Sequence, residues 1–263
     1  MAKSIHITLL ALFVTLVFSA CDDKDSDDPT PSSVGLTGSV RAQNEFGQPL
    51  YEERDGVAIH LQVGYRSFDV LADNEGYYDF NGAPIGTYSA TYSKPGFGTL
   101  INRNLKVSAL DPNFQVQNGR QVLPTITLTK IPNTTFSDEA LSLSYTVNGN
   151  DTAYSLTLSA RIVPAPPPTG QAKGFRVFLG TDPLLGPHNY LHQSHHTTLT
   201  DTFSLHFNHA FLDSNQIGSG DMIYALLYGD ANFDVQQNPM SDEIPPFPNI
   251  SAEPGSLTSV VLP

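Results

Sequence analysis

The chain has 263 residues, with 26 Asp and Glu against 13 Lys and Arg, giving a formal net charge of −13. A field of that sign repels phosphate backbones and anionic headgroups, which excludes nucleic-acid binding. With 40% apolar and 15% charged residues the chain can pack cores, and 20 Gly and 20 Pro beside many Thr, Val, Tyr and Phe favour strands and tight turns.

Lys3 gives a positive start, residues 5–18 are apolar apart from His6 and threonines, and Ser19 and Ala20 precede Cys21. Residues 1–20 therefore read as a cleavable secretory signal. The apolar run falls short of the ~20 residues of a spanning helix. Cys21 is the only cysteine, so no disulfide can use it within the chain. Asp22, Asp23, Asp25, Asp27 and Asp28 follow, with Pro29 and Pro31. Residues 21–33 are expected to form an acidic, self-repelling tether.

Phe18-Ser19-Ala20-Cys21 resembles the bacterial lipobox, with Phe18 where leucine is more usual. The resemblance implies acylation of Cys21. At ~0.8 kcal/mol per buried CH₂, several acyl chains would hold the protein on a bilayer. Cys21-Asp22-Asp23-Lys24-Asp25 is similar to the acidic export signal of Bacteroidota lipoproteins. That likeness implies an outer-membrane lipoprotein facing the cell exterior.

Residues 34–130 form a first module. Alternation marks strands over 35–42 and 57–63, where Val57, Ile59, Leu61 and Val63 share one face. Further strands are expected over 68–72, 77–80, 86–92, 99–107 and 122–129, with Asp73-Asn74-Glu75-Gly76 as a turn. Tyr88, Ala90 and Tyr92 share a face. About seven strands at this spacing suggest a β-sandwich.

Three stretches, Gly38-Ser39-Val40, Gly47-Gln48-Pro49-Leu50 and Gly56-Val57-Ala58-Ile59, resemble the opening of a carboxypeptidase regulatory-like domain. Asp73-Asn74-Glu75-Gly76-Tyr77-Tyr78, Ile85-Gly86-Thr87-Tyr88 and Lys94-Pro95-Gly96-Phe97 continue the likeness in order. The resemblance covers residues 34–107 and implies a transthyretin-like Greek-key sandwich without peptidase activity. It departs at Tyr51-Glu52-Glu53-Arg54-Asp55, an insert expected to be a solvated loop.

Residues 131–263 form a second module. Strands over 140–147 and 154–163 alternate around Asn148-Gly149-Asn150-Asp151, the clearest hairpin in the chain. Leu141, Leu143 and Tyr145 are expected to face Leu156, Leu158 and Ala160. Pro164-Ala165-Pro166-Pro167-Pro168 must be extended. Strands over 175–179, 198–207, 222–228 and 257–262 complete an immunoglobulin- or fibronectin-III-like sandwich read from pattern alone. The fold class is thus all-β, with two tandem sandwiches.

Candidate chemistry is sparse. His188, His192, His195, His196, His206 and His209 fall within 22 residues. Imidazoles invite zinc, yet no HExxH or Cys/His spacing is present, so an exposed histidine-rich loop is expected. Asp230, Asn232 and Asp234 carry the spaced oxygens of a calcium loop. Val235 and Ser241 stand where an EF-hand has Gly and Glu, and an Asx-rich turn is the alternative. Asp151-Thr152-Ala153 resembles a Bacteroidota O-glycosylation site at Thr152. No P-loop, GxGxxG, CxxC or nucleophile elbow occurs.

The expected function is a non-catalytic surface module that binds a glycan or protein, or accompanies a TonB-dependent outer-membrane protein. The absence of Trp weakens the glycan reading, and 11 Tyr partly offset it. A structural stalk and a metal-dependent hydrolase using the histidines are the alternatives.

Overall fold

The computed structural model describes residues 33–108, 116–149, 151–232 and 246–263. They form a nearly all-β protein. Strand β1 (Ser33–Gln43) is long and central. It pairs antiparallel with β4 (Tyr77–Pro84) and parallel with β8 (Arg120–Val122) and β9 (Ile126–Thr129). Strand β7 (Val116–Gln117) extends β8. A second sheet runs in the order β3 (Arg66–Leu71), β2 (Ala58–Val63), β5 (Gly86–Ser93), β6 (Leu100–Val107).

The period-two pattern sets the faces. Val57, Ile59 and Leu61 are buried, as are Tyr88, Ala90 and Tyr92, and they meet Leu36, Val40, Tyr78 and Leu128 in one core. The buried tyrosines keep partners: Tyr78 and Tyr92 hydroxyls lie 3.2 Å apart, and Tyr88 Oη donates to the Pro84 carbonyl at 2.6 Å. Burial pushes all three phenols above their ordinary pKa. The 73–76 turn is closed by Asp73 Oδ1, which accepts the N–H groups of Glu75 and Tyr77 at 3.0 and 2.8 Å.

One local expectation is corrected, and a second, the solvated insert, gains detail. The strand over 122–129 is two strands, because Pro124 lacks an N–H and breaks the ladder between β8 and β9. The insert after Leu50 is a 3₁₀ turn, Tyr51–Glu53, fastened by Lys94. Lys94 Nζ donates to the carbonyls of Glu53 and Asp55, each at 2.8 Å.

The second half opens with β10 (Thr135–Asn148) and β11 (Asp151–Val163), a long hairpin joined on its far side by β14 (Thr202–Phe207). Leu141 stands opposite Leu158 and Leu143 opposite Leu156. The facing sheet runs β13 (His192–Thr198), β12 (Lys173–Gly180), β15 (Met222–Asp230), β16 (Thr258–Val261). Helix α1 (His209–Ser214) follows β14, capped by Asn208 Oδ1, which accepts the Phe211 N–H at 3.0 Å. Leu156, Leu158, Phe175, Val177, Ile223 and Leu227 belong to the core.

Strand β12 is buried along its whole length. Its inward residues meet the hairpin, while Phe178 on its outer face packs with Leu226, Leu185, Phe247 and Ile250. Strand β13 overturns the expected exposed loop, and strand 198–207 shortens to β14. Both faces of β13 are polar, so the strand carries no hydrophobic period for the sequence to display.

The first core draws only on residues before 131 and the others only on residues after 134. Between them lies a polar joint. Lys173, with a side chain 3% exposed, sits 3.6 Å from the Glu45 carboxylate and 3.3 Å from Thr134 Oγ1. The Asn232 N–H donates to the Glu45 carbonyl at 3.0 Å.

Candidate binding site

The outer face of the first sheet carries a depression of about 580 Å³ lined by Thr37, Tyr77, Asp79, Gln117, Asn118 and Arg120. Its geometry follows from strand alternation. In β4, Tyr78 and Phe80 point into the core, so Tyr77, Asp79 and Asn81 point out. Asp79 stands opposite Thr37 of β1, and Arg120 of β8 stands opposite Gly35. Gly35 matters here, since a Cβ at that position would lie 2.8 Å from Arg120 Cγ. The missing side chain lets the arginine lie across β1.

Arg120 is held at two points. Its Nη1 is 2.7 Å from Asp79 Oδ1, and its Nη2 donates to Asn81 Oδ1 at 3.0 Å. The guanidinium and carboxylate thus form an ion pair, while the hydrogen bond that orients the arginine goes to Asn81. Tyr77 stands beside them 60% exposed. Gln117 and Asn118 supply amide donors and acceptors, and Thr37 a hydroxyl. An exposed aromatic face next to planar polar groups suits a ligand with both an apolar surface and hydroxyls. Opposite charges already paired on the floor leave no net field for a strongly charged ligand.

The sequence did not single out this site. Its signal was present as Tyr77-x-Asp79-x-Asn81 at period two, hidden because Tyr77 follows directly on the 73–76 turn.

The residues that were singled out lie elsewhere. Cys21 and Asp234 fall outside the described residues. Asp230 is 2% exposed and occupied: Oδ2 accepts from Arg176 Nε and Oδ1 from the Ala231 N–H, each at 2.8 Å. Asn232 donates through Nδ2 to the Ala172 carbonyl. Both Asp230 oxygens are thus engaged inside the protein, while Asp234, the third residue of the calcium reading, lies outside the described residues. A buried carboxylate facing a guanidinium is filled already. Thr152 is half-buried on β11 opposite Val147, one position from the hairpin turn.

The histidines separate. His195 faces outward opposite Arg176 and bonds the Ala231 carbonyl through Nε2 at 2.9 Å. His196 lies inward, stacked on Phe175 with ring centres 5.5 Å apart, and His192 meets Phe211 edge-on at 4.7 Å. His206 Nδ1 lies 2.9 Å from Thr157 Oγ1, and His209 Nε2 is 3.4 Å from Asp213. Among the described residues no three His, Cys, Asp or Glu side chains converge to hold a metal.

Burial lowers the pKa of His192 and of His196, and His195 and His192 lower that of His196 further. The unfolded chain therefore takes up these protons first as pH falls. Stability is at its full value above the ordinary histidine pKa of about 6.5 and is lost as pH falls towards the lowered folded values. Thermal melts between pH 8 and 5 should show that loss, and His196→Phe should flatten it. A profile flat through this window in the parent protein would contradict the burial.

No family model matches the chain, and no curated protein matches it. Several solved structures are similar at low level. A candidate carbohydrate-binding protein of Bacteroides uniformis is 14% identical, over 88% of this chain and 100% of that one, with a TM-score of 0.29. A DUF3823 family protein of Bacteroides ovatus is 16% identical, over 88% and 100%, with a TM-score of 0.27. The major pilin SpaD of Corynebacterium diphtheriae is 13% identical, over 86% and 65%, with a TM-score of 0.30. At these values the likenesses assign neither a family nor a ligand.

Proposed function

We propose that the chain is a non-catalytic binding module for a neutral, polyhydroxylated ligand, a glycan, displayed from the outer membrane by acyl chains on Cys21. The observation that carries the binding reading is Tyr77, exposed beside the Asp79–Arg120 ion pair in the depression on the first sheet. A sugar ring has an apolar face for the tyrosine and hydroxyls for the paired ions and amides. The display reading is supported by the signal-like residues 1–20 and the lipobox-like Phe18-Ser19-Ala20-Cys21. The regulatory-like motifs over residues 34–107 favour a transthyretin-like first domain, with the domain boundary near residue 130. A TonB-dependent barrel is a fitting partner for such a module.

The test is affinity electrophoresis of the purified protein in gels containing amylopectin, xylan, galactomannan or mixed-linkage glucan. At least one should retard it, and Tyr77→Ala should weaken that retardation about tenfold, the effect of removing a central aromatic anchor. Normal migration of the unaltered protein in all four gels would overturn the glycan reading.

A stalk role is favoured by one observation, the buried Glu45–Lys173 joint, which ties the two halves at a fixed point.

A further inference from the structure

The β10–β11 hairpin outruns the sheet it belongs to. β14 pairs with β11 only between Leu156 and Arg161. The β10–β11 ladder continues through Ser144↔Ser155, Tyr145↔Tyr154, Thr146↔Ala153, Val147↔Thr152 and Asn148↔Asp151. At ~3.4 Å per residue this ribbon projects roughly 17 Å beyond the last three-stranded row. A two-stranded ribbon is marginal in water on its own. This one is braced at the root, where Tyr154 Oη donates to the Pro263 carbonyl at 2.8 Å and the His209 ring lies against Tyr154 at 6.1 Å.

The two faces of the ribbon differ. Leu141, Leu143, Tyr145 and Val147 alternate onto the side that is continuous with the core. The first two pack against that core, but Tyr145 is 61% exposed and Val147 60%. The Tyr145 and Tyr154 rings lie 6.5 Å apart with a 55° tilt, and most of Tyr145 stays in solvent. Ser144, Thr146 and Ser155 point the other way, and Thr152 lies opposite Val147. Residues 131–160 contain no Lys or Arg, so no cation at the hairpin tip awaits an anionic ligand. An exposed ring, an aliphatic neighbour and the Thr152 hydroxyl on the same face match a molecule with one apolar face and a hydroxylated edge.

We propose that this tip, centred on Tyr145 with Val147 and Thr152, is a second carbohydrate contact, taking a neutral pyranose ring of a polysaccharide. It rests on the glycan reading of the chain and adds a site in the other half of the molecule. The core does not need Tyr145 or Val147, because Leu141 and Leu143 already close it. The exposed apolar surface is thus free to serve a ligand.

The same electrophoresis separates the two claims. Tyr145→Ala is expected to weaken retardation about three- to tenfold, the range for losing one aromatic contact. Tyr145→Phe should retain it, and both variants should melt with the parent. Tyr77→Ala should leave a residual retardation that Tyr77→Ala combined with Tyr145→Ala abolishes. If the parent is retarded and Tyr145→Ala migrates identically to it, the second site falls while the first stands. If Tyr77→Ala alone abolishes retardation, the second site likewise falls. If the parent is not retarded in any gel, both fall together. Concentration-dependent dimerisation in sedimentation, lost in Tyr145→Ala, would assign the tip to a second copy of the chain and overturn the proposal.

Discussion

Asp230→Ala is expected to destabilise the second half of the molecule by about 3–5 kcal/mol, read as a lower midpoint in urea unfolding. The substitution strands Arg176, whose side chain is 11% exposed and pinned between Asp230, Gln193 Oε1 and the Phe247 ring 4.3 Å from its guanidinium carbon. Burial pushes the Asp230 carboxyl above its ordinary pKa, with Arg176 and His195 pulling against that rise. Desolvation thus outweighs attraction, as it does for many buried pairs. The pair is costly to break and of little net benefit to keep. Arg176→Met combined with Asp230→Leu should therefore recover most of the loss. A single-variant cost below 1 kcal/mol would mean that water reaches the arginine.

Gly76→Ala is expected to cost the first half about 2–4 kcal/mol, by two routes that can be separated. Gly76 sits at φ +85°, and a Cβ there would overlap the Val40 carbonyl oxygen. The Gly76 carbonyl also accepts the Val40 N–H at 2.8 Å, so the turn cannot back away without losing that bond. Gly56 offers the control, since it has φ +71° but nothing within 4 Å of a Cβ. Gly56→Ala should cost only about 1 kcal/mol, the backbone share. Gly76→Asn relieves φ but keeps the Cβ, so it should remain close to Gly76→Ala. Recovery to the Gly56 level would show that the contact with Val40 is soft.

Much of the fold was legible because one face of most strands is apolar. Val57-x-Ile59-x-Leu61 and Tyr88-x-Ala90-x-Tyr92 fell where alternation put them, and Leu141 and Leu143 found Leu158 and Leu156. Strand β13 was not legible, because His192, Ser194 and His196 face in while Gln193 and His195 face out. An edge strand with two polar faces looks like a loop. The setting of Asp230 was hidden for a different reason. Its spacing from Asn232 resembled a calcium loop, but its partner Arg176 lies 54 positions earlier, on the neighbouring strand. Cross-strand charge pairing leaves no mark in local spacing. Tyr77 likewise gained its meaning from Arg120, which only the parallel pairing of β8 with β1 brings near.

That parallel pairing has a mechanical side. The chain enters β1 at Ser33 and, within the same sheet, leaves β9 at Thr129 after running parallel to β1. Parallel neighbours have their entry and exit at opposite ends. Tension applied between those two points loads the hydrogen bonds of the β1–β9 and β1–β8 ladders together, in shear, and does not peel them one at a time. Resistance to such a pull is set by the rate of crossing a single high barrier rather than by equilibrium stability. A domain clamped this way withstands a sustained pull longer than its marginal free energy of folding would suggest.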